Sequence, residues 1–85
     1  MDIEDYRSMI DSVNREIVAA VARRRDIALE IGELKQQRDM EVEDTDREEQ
    51  VIQQFERLFE EHGLPRDRAD DLAELLIDIA KEAQR

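Results

Sequence analysis

From Ile3 onward, apolar residues return at a heptad spacing. Ile3, Ile10, Ile17 and Ile31 fall on one heptad position, and Tyr6, Val13, Ala20, Ile27 and Leu34 on another. That spacing predicts one helix over about 3–37, and the two-residue alternation of strands is absent throughout. Polar Gln36, Gln37, Arg38 and Asp39 end the pattern. The run Asp44-Thr45-Asp46-Arg47-Glu48 then offers helix-start residues, including a possible capping box from Thr45 to Glu48. A second helix is expected over about 44–62, with Val51, Ile52, Phe55, Leu58 and Phe59 on its stripe and Gly63 as its left-handed stop before Leu64 and Pro65. A third should run over 66–84. Leu72, Leu75, Leu76, Ile79 and Ala83 form one apolar face there, and Ala73, Ile77 and Ala80 another, which suits a helix wedged between neighbours.

The first helix is too long for the rest of the chain to cover. At about 1.5 Å per residue it spans about 50 Å, whereas a compact domain of this size has a radius of gyration near 12 Å by the usual ~2.2·N^0.38 scaling. The expectation is an all-α chain, residues 1–85 forming one domain of one long and two short helices, that pairs with a second copy as an intertwined homodimer. Eighty-five residues bury only about 60% of their unfolded surface, so a deep pocket also calls for a second chain.

Several positions break the apolar stripes. Stepping about 100° per residue puts Arg24 in the middle of the first helix's stripe, beside Tyr6, Val13, Ile17 and Ile31. Lys35, eleven residues on, returns to within about 20° of it by the same ~100° step. Two like charges on an apolar face repel and lose hydration unless an anion pairs with them, so they suggest a site for a small dianion. A register-setting polar seam residue, or side chains snorkelling to the edge, would also account for them. Glu48 sits in the second helix's stripe, with Asp44 one turn before and Arg47 at the edge. First-turn capping is the competing explanation. Arg7 lies roughly 100° around from Arg24 and reaches such a site only from a second chain; otherwise it is a solvated arginine.

Composition narrows the classes. Twenty-four acids against 13 bases give a net charge of −11, which repels nucleic acid and anionic membrane. Arginine outnumbers lysine 11 to 2, and an acid-rich, lysine-poor chain of this kind fits work in concentrated salt. No run approaches the ~18 apolar residues of a membrane span, and no charged-then-apolar leader opens the chain, so a cytoplasmic location is expected. There is no cysteine, one histidine makes a poor metal site, and neither a catalytic triad nor a glycine-rich phosphate loop is present. Neither a metal nor another cofactor is expected.

The pattern of Arg7 and Ile10, Ala22-Arg23-Arg24-Arg25-Asp26-Ile27-Ala28, Ile31-Gly32, Lys35 and Asp44-Thr45-Asp46-Arg47-Glu48 resembles the small all-helical chorismate mutases over residues 3–84. The resemblance implies an intertwined helical homodimer that converts chorismate to prephenate, on the branch toward phenylalanine and tyrosine, without a cofactor. It implies that Arg24, Arg47 and Arg7 of the partner subunit engage the substrate carboxylates. Lys35 and Gln84 would bind the ether oxygen, and Glu48 with the Asp44 segment would hold the ring hydroxyl.

There are departures from the family pattern. Ala80 stands where a small hydroxyl residue is common, Gln84 is next to last where helices fray, and Glu41 replaces a frequent proline. An isochorismate-pyruvate lyase on the same scaffold and a non-catalytic helical dimerisation or regulatory module stay open as alternatives.

Overall fold

The computed structural model describes residues 1–85. Three α-helices make the fold, α1 (Ile3–Gln37), α2 (Thr45–Glu61) and α3 (Ala69–Gln84), and a 3₁₀ turn at Arg66–Arg68 leads into α3. The chain has no strand, as the apolar spacing predicts.

Local chemistry sets the helix ends. Asp2 and Asp5 cap the start of α1 reciprocally, each side chain accepting the other's backbone N–H at 3.0 Å. At its end Asp39 takes a left-handed φ of 55°. The Met40 N–H then donates to the Lys35 carbonyl at 2.7 Å and the Asp39 N–H to Gln36 at 3.3 Å, a Schellman closure. α2 closes the same way at Gly63, φ 68°, with Leu64 N–H on the Phe59 carbonyl at 2.8 Å. That stop is the one expected of Gly63, whereas the first reversal uses an aspartate that only the backbone reveals. The third helical segment differs from expectation at its start. Pro65 fixes φ near −62° and has no N–H to donate, and the chain makes one tight turn, Arg68 N–H to the Pro65 carbonyl at 3.0 Å, before the α-helix begins.

α3 packs against both other helices, while the backbones of α1 and α2 stay apart. The buried residues are small or aliphatic: Ala28 and Gly32 of α1, Val51 of α2, and Ala69, Ala73, Leu76 and Ile77 of α3. They lie in the lower half of α1 and the elements against it. The core face of α3 is therefore the Ala73 and Ile77 side together with Leu76, while Leu72 and Leu75, expected on the same face as Leu76, remain exposed.

The first eighteen residues of α1, 3–20, are exposed along their length, among them Ile3, Tyr6, Ile10, Val13 and Ile17, each half or more exposed. The molecule accordingly measures 55 × 23 × 15 Å with a radius of gyration of 16.0 Å. A compact chain of this length would be near 12 Å by the ~2.2·N^0.38 scaling. No helix is long and apolar enough to cross a membrane.

Candidate active site

The gap between α1 and α2, floored by α3, forms a cleft of about 350 Å³. α1 contributes Arg24, Ile27, Ala28, Ile31 and Lys35, the α1–α2 connection Val42 and Asp44, α2 Arg47, Glu48 and Val51, and α3 Ile77, Ala80, Lys81 and Gln84. Four cations and two acids thus face one small space in a chain whose net charge is −11.

Lys35 has the most defined geometry. Its Nζ donates to the Val42 carbonyl at 2.9 Å and to Gln84 Oε1 at 2.8 Å. An ammonium has three protons, so two are spent holding the group in place and one is left for a ligand. Because lysine only donates, Oε1 of Gln84 must face it, and the amide NH₂ is left as a second donor. Arg24 is half-buried, and its Nη1 donates to the Leu76 carbonyl at 3.1 Å. Its pKa lies below the ordinary arginine value, first because burial penalises the charge and then because the Arg47 charge repels it. The charge of an anion between the two guanidiniums would offset both effects.

Arg47 is anchored through its backbone, whose N–H donates to Asp44 Oδ1 at 3.1 Å. Its own guanidinium reaches Gln50 Oε1 at 3.4 Å. The N-cap of α2 is therefore Asp44, and no Thr45–Glu48 capping box forms. Glu48 instead turns into the cleft, where Oε1 accepts from Lys81 Nζ at 3.4 Å and Oε2 is buried without a hydrogen-bond partner. Ala80 presents only its methyl group.

Of the residues singled out in the sequence, Arg24, Lys35, Asp44, Arg47, Glu48, Ala80 and Gln84 share this cleft. Arg7 does not. It is exposed near the other end of α1, paired with Glu4 at 2.8 Å, and seventeen residues at ~1.5 Å each put it about 25 Å along the helix from Arg24.

Lys81 is the charged cleft residue that the sequence reading missed. It binds Glu43 at 3.2 Å and Glu48 at 3.4 Å, and its pKa is raised, chiefly by the hydrogen bond to Glu43. A signal for it exists. Ala73, Ile77 and Lys81 form an i, i+4 row, so Lys81 interrupts an apolar row on α3 as Arg24 does on α1.

Residues 6–85 match the sequence profile of the family described as chorismate mutase type II. The chain belongs to the type II chorismate mutase family. One relative, the chorismate mutase of Methanocaldococcus jannaschii, is 24% identical over 83 residues, covering 98% of this chain and 84% of that protein. A solved structure of a conserved hypothetical protein from Pyrococcus furiosus superposes with a TM-score of 0.76 at 26% identity, over 98% of this chain and 95% of that one. Membership of the chorismate mutase family agrees with the all-helical fold. Of the residues that carried the resemblance, Arg24, Ile27, Ala28, Ile31, Lys35, Asp44, Arg47 and Glu48 line the cationic cleft, whereas Arg7 lies outside it.

Proposed function

We propose that this chain is a chorismate mutase that rearranges chorismate to prephenate, the branch step toward phenylalanine and tyrosine, in an intertwined homodimer in the cytoplasm. The observation that carries the reading is Lys35, tethered by Val42 and Gln84 in a cleft that also holds Arg24 and Arg47. The substrate is a dianion with two carboxylates. Arg24 and Arg47 supply charge-assisted donors for them, and the 350 Å³ space fits a small folded molecule.

The reaction is a concerted rearrangement within one molecule. The ether carbon–oxygen bond breaks as a carbon–carbon bond forms between the side-chain methylene and the ring. No nucleophile or general base is required, and the protein's task is to hold the folded conformer and meet developing charge. Negative charge grows on the ether oxygen in the transition state, so the free proton of Lys35 and the amide of Gln84 stabilise that state more than the ground state. Glu48 accepts from the ring hydroxyl through Oε2, which otherwise has no partner.

The uncovered half of α1 supports pairing of two chains. Exposed Ile3, Tyr6, Ile10, Val13 and Ile17 form an apolar face that a second α1 covers. In a closed two-fold dimer the far end of each α1 then reaches the other chain's cleft, and Arg7 of the partner subunit supplies a further carboxylate contact. An isochorismate-pyruvate lyase would use the same cations on a similar dicarboxylate. The Asp46-Arg47-Glu48 segment, with Glu48 turned into the cleft, favours the mutase.

Purified protein incubated separately with chorismate and isochorismate decides between them. Prephenate from chorismate is the expected product. Salicylate and pyruvate from isochorismate, with chorismate untouched, would assign the lyase, and no turnover of either would leave a non-catalytic helical module.

A further inference from the structure

Lys81 has no role in the reading above. It is nonetheless one of only two lysines in the chain, and both line the cleft. Its side chain is 21% exposed and that of Glu48 26%, so this is a half-buried pair in a cleft wall, unlike the solvated Arg7–Glu4 pair. Lys81 also touches Glu43 in the α1–α2 connection. One ammonium on α3 therefore pins that connection and the first turn of α2 together.

The consequence falls on Glu48. A carboxylate free to rotate presents either oxygen, and a neighbouring cation chooses between them. Here Lys81 occupies Oε1 and Oε2 is left buried and partnerless. An unpaired buried acceptor carries a desolvation penalty, which a hydroxyl donor entering the cleft removes. A hydrophobic residue at 81 would continue the Ala73, Ile77 row and leave the Glu48 charge without its counter-ion.

Resting on the mutase reading, we propose that Lys81 is a positioning residue for this reaction: by holding one oxygen of Glu48 it aims the other at the substrate's ring hydroxyl, so that the enzyme's preference for a substrate bearing that hydroxyl depends on a lysine that does not itself touch substrate.

The test compares chorismate with its ring O-methyl ether, which keeps both carboxylates and the ether bridge but cannot donate to Glu48. In the parent protein chorismate should be strongly preferred. Lys81→Met should lower kcat/KM for chorismate about tenfold, the scale of one charge-assisted hydrogen bond, while changing that for the methyl ether by less than about twofold. The preference then collapses toward that of Glu48→Gln, and combining the two substitutions should add nothing further. Lys81→Arg should restore most of the preference, and Glu43→Gln, on the exposed partner outside the cleft, should leave it unchanged. If Lys81→Met disturbs folding by circular dichroism, Lys81→Gln takes its place. Equal losses on both substrates, or none on either, would overturn the positioning role while the mutase reading stands. Absence of prephenate from the parent protein would overturn both.

Discussion

A Cβ placed on Gly32 in α1 would stand 2.8 Å from the Cα of Gln84 in α3 and 3.2 Å from its carbonyl oxygen. The two helices approach this closely because nothing projects from position 32, and the approach is what brings the Gln84 amide to Lys35. Alanine in place of a mid-helix glycine ordinarily stabilises by roughly 0.5–1 kcal/mol. Here the contact is with backbone, so the end of α3 must move instead. Gly32→Ala should therefore fail to raise the thermal midpoint and should lower kcat/KM at least about tenfold, as one positioned donor pair is lost. A variant more stable and fully active would show that the close approach is unimportant.

Lys35 makes the most specific prediction on chemistry. Lys35→Ala removes a group that meets charge only as the carbon–oxygen bond breaks, so kcat should fall by about a hundredfold or more, near 3 kcal/mol of barrier. The circular dichroism spectrum and the size of the particle should be unchanged. An active Lys35→Ala variant would remove Lys35 from the mechanism.

Arg24 gives a trade between stability and activity. Burial and the Arg47 charge both disfavour its ionised form, and the charge of a bound anion offsets both. Arg24→Met keeps the side-chain length without the charge, so its thermal midpoint should equal or exceed the parent's while kcat/KM falls steeply. Chorismate should raise the midpoint of the parent and not of the variant. A large loss of stability in Arg24→Met would make the arginine a structural element, held for its bond to the Leu76 carbonyl.

The charge balance predicts how pairing responds to salt. Each chain carries −11, so two chains repel unless screened, and the screening length falls from about 30 Å at 0.01 M to about 3 Å at 1 M. Light scattering should give twice the 10.1 kDa of one chain in concentrated salt. On dialysis into dilute buffer both the mass and the helicity should decline. A monomer at all salt concentrations would remove the dimer, and unchanged helicity in dilute buffer would remove the salt adaptation.

What could be read in the sequence follows the range of the interactions involved. Helix periodicity is local, so the three helices and the misplaced charges at Arg24, Lys35 and Glu48 were visible in spacing alone. Gly63 was visible because a left-handed stop favours glycine, while the equivalent stop at Asp39 carries no such mark. Lys35's contact with the Val42 carbonyl is to backbone and leaves no trace in residue identity. Competition between local and distant partners leaves two readings of Glu48 open in the sequence. A first-turn acid can cap its own helix or reach across to another, and only the placement of Lys81 on α3 shows which occurs. Arg7 is the opposite case: its own chain leaves it in solvent, and its role depends on a second copy.

The central claim, a mutase site completed by two chains, is tested most directly by subunit complementation. Arg7→Ala and Lys35→Ala each disable every site in their own homodimers. In a mixed dimer, one cleft combines an intact Lys35 with the intact Arg7 of the partner subunit, and the other cleft lacks both. Random re-pairing of equal amounts makes half the dimers mixed, each with one working site of two, so prephenate formation should recover to about a quarter of the parent rate. A mixture that stays as inactive as its two components, or an Arg7→Ala protein that is fully active alone, would contradict the account.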